Sequence, residues 1–231
     1  MKTIYLSPST INLYLKCPRC FWLKKNKNMN LPEPPTSTLP RGMDLIIKDY
    51  FDLCRQRKTL PEELKTKVRG KLLSDQRLLN KWRNWQTGLS FFDEKLKAKL
   101  SGALDECLVD KDFYIPVDYK TRGFGLKDDT VNYYVMQLSL YCLLLDRNGY
   151  KTDSLSYLVF YIPNKIRESG VVNFSAEVMP IKTDINKAYQ IFKESVECLR
   201  GPLPPFAKDC EYCTWYKKQK DLIRESNLFN S

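Results

Sequence analysis

Between Gly42 and Arg55, apolar residues recur at steps of three and four, through Met43, Ile46, Ile47, Tyr50 and Phe51. That period lines one side of an α-helix. It returns over residues 130–147 in Val131, Tyr134, Val135, Leu138, Cys142 and Leu145, with Asn148-Gly149 as a stop. A third helix is expected after Asp184, through Ile185, Ala188, Tyr189, Phe192 and Val196, ending at Gly201-Pro202. At the start of the chain Ser7-Pro8-Ser9-Thr10 opens a helix, with Ser7 or Ser9 as its cap and Ile11, Tyr14 and Leu15 on one face; Cys17 and Cys20 fall at its end. Residues 60–87 are expected to be helical and basic around Trp82 and Trp85. Strand character builds late in Lys95 to Val109, Asp110-Lys111-Asp112 makes a polar turn, and 113–120 is aromatic and β-branched, which predicts a hairpin. Two more strands are expected over 154–162 and 171–181, and loops over the proline-rich 26–41 and over 121–129.

Helices, a hairpin, a helix, two strands and a helix, in that order, predict an α/β (α+β) fold with helices packed on a sheet. A length of 231 residues with 43% hydrophobic content fits one compact domain over 1–231, with a mostly helical part (1–90), a core (91–200) and a cysteine-bearing tail (201–231). No run of about eighteen apolar residues occurs. Met1-Lys2-Thr3-Ile4-Tyr5 lacks the apolar core of a signal peptide, so a cytoplasmic protein is expected. Eight cysteines then read as thiols, metal ligands or cluster ligands rather than disulfides. The net charge of +11 favours a polyanionic partner, although a generally lysine-rich composition would give the same balance. The chain has no histidine, which excludes Ser-His-Asp and Cys-His hydrolases and every nuclease with a histidine base.

Carboxylate and lysine chemistry survives that filter. Gly102-Ala103-Leu104-Asp105 is followed by Asp118-Tyr119-Lys120. Residues two apart on a strand share a face, so Asp118 and Lys120 emerge together, and an antiparallel partner can bring Asp105 alongside. Asp118 lies in the otherwise apolar run Ile115-Pro116-Val117-Asp118-Tyr119-Lys120-Thr121, where a charge is costly unless paired or bound to a metal. Mg²⁺ or Mn²⁺ held by Asp105, Asp118, the backbone carbonyl of Tyr119 and waters could polarise a phosphodiester, with Lys120 orienting water or neutralising charge.

Ser7-Pro8-Ser9-Thr10, Cys17-Pro18-Arg19, Gly102-x-x-Asp105, Asp118-Tyr119-Lys120 and Gln137-x-x-x-Tyr141, in this order, resemble the PD-(D/E)xK nuclease superfamily, within it the RecB-like and CRISPR-associated exonuclease branch. The resemblance spans Ser7 to Cys213. It implies a restriction-endonuclease-like central mixed sheet flanked by helices, with Asp105 and Asp118 as metal ligands and Lys120 as the catalytic lysine. It further implies that Gln137 supports the metal and lysine site and that Tyr141 helps place DNA. The expected activity is a DNA exonuclease acting on single strands or ends; the alternatives are a catalytically weak or inactive DNA-binding or assembly module of the same fold and a structure-specific endonuclease. The branch often adds a histidine or glutamate ligand from the helix after the first loop, and Gly42 to Tyr50 offers only Asp44 and Asp49 there. Either could instead be a solvated helix residue.

Cys17-Pro18-Arg19-Cys20 and Cys210-Glu211-Tyr212-Cys213 supply four thiolates, enough for tetrahedral zinc or a 4Fe-4S cluster if the fold joins the two ends. The resembling branch joins them around an iron-sulfur cluster with one cysteine near the N-terminus and three near the C-terminus; this chain has two and two. Cluster, zinc and no metal all stay open at this point. Cys54, Cys107, Cys142 and Cys198 sit at apolar positions and read as core. For nucleic acid, Arg19, Lys24 and Lys25 beside Phe21 and Trp22, and Trp82, Arg83 and Trp85, could grip phosphates and stack bases, as could Trp215, Tyr216, Lys217, Lys218 and Lys220 of the tail. The competing reading of Trp82 and Trp85 is ordinary core.

Overall fold

The computed structural model describes residues 2–32, 38–127 and 129–228, with side chains as far as Arg224. Part of each expected loop, 33–37 and Asp128, lies outside the described residues. In chain order the elements begin with β1 (Ile4–Leu6), α1 (Pro8–Lys16), α2 (Pro18–Lys27), α3 (Leu39–Gln56), a single 3-10 turn (Glu62–Leu64), β2 (Lys71–Leu72) and α4 (Gln76–Arg83). There follow β3 (Leu89–Asp93), β4 (Ala98–Gly102), β5 (Glu106–Asp110), β6 (Phe113–Thr121), α5 (Asn132–Arg147), β7 (Leu155–Ile166), β8 (Val172–Lys182), α6 (Ile185–Arg200) and α7 (Glu211–Leu228). They group into two compact units, one of residues 1–8 with 35–189 and one of 9–34 with 190–231.

The larger unit holds both sheets. One has the order β2-β5-β6-β7-β8 and the other β1-β4-β3. Both are mixed, because β6 runs parallel to β7 and β1 parallel to β4 while the remaining pairs are antiparallel. Parallel neighbours need a crossover, and α5 provides it between β6 and β7. This is the mixed sheet flanked by helices that the sequence predicts. Alternation along β6 then divides its side chains. Ile115, Val117 and Tyr119 join Ile47, Phe51 and Cys54 of α3 in one apolar cluster with Leu108, Tyr157 and Val159. Asp118 and Lys120 take the opposite face.

Three expectations change. The first helix is broken at Cys17, because a residue before proline avoids helical backbone. Cys17 is extended (φ −160°, ψ 103°) and Pro18 starts a new helix at the position where its missing N–H costs nothing. Residues 60–87 are not one helix, for Gly70 sits at φ +86° so close to β5 that a Cβ there would lie 2.7 Å from the Val109 carbonyl oxygen. Only α4 remains, capped by Asp75 accepting from the Leu78 N–H at 2.9 Å. Lys95 to Val109 is likewise two strands, β4 and β5, in different sheets, separated by the bend at Asp105.

One buried ionic network ties α3 and α4 to β5. Arg55 and Arg83 both pair with the fully buried Glu106, Arg83 at 3.2 Å, and both also reach Asp52. Arg55 donates as well to the Leu73 carbonyl at 2.7 Å. Removing one member of such a set strands the others in a poor solvent, so Arg55→Met is expected to lower unfolding free energy by about 3 kcal/mol. Equilibrium denaturation checks it, and an unchanged midpoint would contradict the network's role.

The smaller unit is helical among its described residues. Asn26 Nδ2 donates to Leu199 O at 2.9 Å and Trp22 Nε1 to Gly201 O at 3.0 Å, so α2 satisfies carbonyls left open at the end of α6. Among the described residues, no helix is long and apolar enough to cross a membrane.

Candidate functional site

Two buildable sites emerge, one in each unit. In the larger unit, Glu106 pairs with Val117 in the β5–β6 ladder, so Asp105, one residue before the strand, stands opposite Asp118. Gly102 allows the approach of α5, because a Cβ there would meet Leu144 Cδ1 at 2.9 Å and Tyr141 Cε1 at 3.3 Å. Arg83 Nε donates to the Asp105 carbonyl at 2.8 Å and fixes the bend.

Asp118 is 1% exposed. Its Oδ1 accepts from Gln137 Nε2 at 3.2 Å, and Gln137 Nε2 also donates to the Tyr141 hydroxyl at 3.0 Å. Its Oδ2 lies 2.6 Å from Lys120 Nζ and has no further partner among the described residues. Lys120 in turn sits over the Tyr134 ring, 5.7 Å from its centroid. The structure thus brings together four of the residues that the sequence singles out, Asp118, Lys120, Gln137 and Tyr141, with Asp105 beside them.

Electrostatics follow from that crowding. Burial pushes the Asp118 carboxyl up to about 7; Lys120 opposes the shift and the Asp105 carboxylate reinforces it. Burial works against the Lys120 ammonium, but the attraction of Asp118 outweighs it and its pKa is raised. The Tyr141 hydroxyl is also raised, first by burial and then by the charges of Asp118 and Asp105, so it stays protonated and neutral.

Lys48 is the residue the sequence reading missed. Its Nζ lies 2.8 Å from Asp44 Oδ2 and 3.3 Å from Asp105 Oδ1. Burial would lower its pKa, but Asp105 and Asp44 together raise it. Asp44 is therefore joined to the site through a lysine, whereas Asp49, five residues on, is exposed. The signal available in the sequence was the Asp44/Lys48 pair at helical spacing, next to the inward-facing Ile47.

An oxygen-only donor set with a buried carboxylate that keeps one oxygen for a single ammonium fits a hard divalent cation. Asp105 and Asp118 are the residues that would hold it. The side chain of Tyr119 points to the α3 face, its ring 5.4 Å from Phe51 and its hydroxyl buried with no hydrogen-bond partner among the described residues. Its contribution is limited to backbone, in a residue paired with Val159.

Of the residues expected to touch nucleic acid, Trp82 is 2% exposed and packs against Tyr150 and Tyr114 at 4.9 and 6.1 Å, so it offers no free face for stacking. Arg83 is spent on Asp52, Glu106 and the Asp105 carbonyl. Trp85 is 78% exposed. Arg19 lies over the Phe206 ring at 4.0 Å and donates to the Pro204 carbonyl at 2.7 Å, while Lys24 is half-buried and Lys25 exposed.

In the smaller unit Cys17, Cys20, Cys210 and Cys213 are buried together, their Sγ atoms all within 4.8 Å of one another, a group that could hold a metal ion. Leu13, Leu31, Ala207 and Tyr212 pack around them. The other four cysteines are free thiols; Cys54, Cys107 and Cys142 are buried and Cys198 is half-buried.

Compared with known families, the chain matches the PD-(D/E)XK nuclease superfamily over residues 5–217. No curated protein matches it.

Proposed function

We propose that this chain, which belongs to the PD-(D/E)XK nuclease superfamily, is a divalent-cation-dependent DNA nuclease acting on single strands or strand ends. The observation that carries the reading is the ion pair of buried Asp118 with Lys120, with Asp105 opposite and Gln137 hydrogen-bonded beneath. Mg²⁺ or Mn²⁺ held by Asp105, Asp118 and the Tyr119 carbonyl would polarise the scissile phosphate and acidify water.

The chain's own residues do the rest. Lys120 brings a fixed positive charge to the phosphate oxygen on which negative charge grows, and its neighbour Tyr134 limits where that ammonium can swing. Gln137 fixes the rotamer of Asp118 through Oδ1, and Tyr141 accepts the second proton of the same amide, so the carboxylate is held before substrate arrives. Arg83 does for the backbone of Asp105 what Gln137 does for the side chain of Asp118. Trp85 is exposed in the larger unit and offers a ring on which a base could stack. A cytoplasmic location, with its reducing thiol pool, agrees with eight free cysteines.

A second reading has one observation in its favour. Helix α3 presents Lys48 to Asp105 where a further anionic ligand would strengthen cation binding. On that reading the chain binds DNA and cleaves it weakly or not at all.

Mg²⁺-dependent degradation of end-labelled single-stranded DNA separates the two. The nuclease reading expects cleavage by the parent, loss of at least a hundredfold in Lys120→Ala, and retained DNA binding in that variant. No cleavage by the parent under any divalent cation, with binding intact, would establish the second reading instead.

A further inference from the structure

The resembling branch carries a 4Fe-4S cluster at its terminal cysteines, and the four thiols of this chain do not fit one. Two sulfur pairs, Cys17 with Cys213 and Cys20 with Cys210, are each 3.7 Å apart, and all four sulfurs lie within 4.8 Å of one another. A single tetrahedral zinc with Zn–S bonds of about 2.3 Å sets its sulfurs about 3.8 Å apart, the spacing of the two short pairs. In a cubane each thiolate binds a different iron and points outward from it. Its bond length is then added to the radius of the four-iron core, and the thiolates stand far wider than ligands of one ion.

The pairing across the site points the same way. The two 3.7 Å contacts each run from one Cys-x-x-Cys pair to the other, so the two pairs meet around one point. Each pair is also built alike. Cys17 caps α2 and Cys20 is the third residue of that helix; Cys210 immediately precedes α7 and Cys213 is its third residue. The Cys20 N–H donates to Cys17 Sγ at 3.4 Å. Two helix N-termini therefore face four sulfurs. Four buried cysteine sulfurs, with no fifth ligand grouped with them among the described residues, would fill every position of a tetrahedral ion, which is the composition of a structural site rather than a catalytic one.

We propose that Cys17, Cys20, Cys210 and Cys213 form a closed mononuclear zinc site that joins α2 to α7, in place of an iron-sulfur cluster. No electron transfer is associated with it, since zinc has no second accessible oxidation state. The site lies wholly within the smaller unit, and its metal can be read whether or not the chain cleaves DNA.

The test uses the full chain, produced with both iron and zinc supplied and purified without oxygen, then analysed for metals, acid-labile sulfide and visible absorption. The expected result is one zinc per chain, no sulfide and a colourless protein. Exchange with Co²⁺ should take up one ion per chain with the intense visible bands of tetrahedral thiolate coordination. Cys20→Ser should lower zinc retention at least tenfold against a competing chelator; because that variant could misfold, the parent's own metal content remains the deciding measurement. Four irons with sulfide and a brown colour would overturn the proposal, and so would a single iron or a chain that takes up no metal.

Discussion

Asp118→Asn is expected to slow Mg²⁺-dependent cleavage about a thousandfold, which corresponds to about 4 kcal/mol of lost charge stabilisation, and at the same time to make the metal-free protein more stable at neutral pH. The first half follows from the loss of an anionic cation ligand whose place beside Lys120 no other described carboxylate takes. The second follows from burial. The folded Asp118 carboxyl is pushed up to about 7, above the ordinary range near 4 of an unfolded chain. Between those values the folded chain binds this proton more tightly than the unfolded chain, so stability from the group is complete below about pH 4 and is lost as pH rises to about 7. Asparagine has no such proton, and its Oδ1 can still accept from Gln137. In chelator, the melting temperature of the variant relative to the parent should therefore rise from pH 4 to pH 8. A difference that shrinks with rising pH would contradict a buried, cation-seeking carboxylate.

Asp118 and Lys120 were legible in the sequence because a strand's two-residue period leaves only one way for Asp-x-Lys to point. Asp105 was legible for a related reason, since the antiparallel ladder that pairs Glu106 with Val117 carries Asp105 to Asp118 in one more step. Gln137 and Tyr141 needed only the helical period, and the hydrogen bond between them is its direct result. What stayed hidden depended on which side of an element packs. Lys81-Trp82-Arg83-Asn84-Trp85 has the composition of a base-stacking surface, yet α4 turns Trp82 and Arg83 inward and leaves Trp85 outside. The sequence marks the amphipathic period of that helix but not the buried Glu106 that draws Arg83 in. Lys48 was hidden in the same way, as a charged residue beside an apolar stripe, which by itself describes most solvated helix faces. Elements of three to five residues, such as β1 and β3, are too short for period to register at all.

Divalent-cation affinity should fall steeply below neutral pH, by about tenfold for each unit once the Asp118 carboxyl becomes mostly protonated. A cation binds the ionised carboxylate, and that form is in the minority below about pH 7 in the metal-free site. Binding must then displace a proton, and Lys120 cannot absorb the change, since its own pKa is raised and it is fully charged throughout this range. The charge of Asp105 is one of the causes that raise the Asp118 carboxyl, and a bound cation would relieve that repulsion. Titration calorimetry with Mn²⁺ in two buffers of different ionisation enthalpy should show close to one proton released per ion at pH 6 and close to none at pH 8. Between those two conditions the dissociation constant should rise about tenfold. In Asp118→Asn the remaining weak binding should lose this proton release. An affinity that stays level from pH 8 to pH 6 in the parent would mean that the cation does not bind through Asp118, and would move the candidate metal site away from the end of β6.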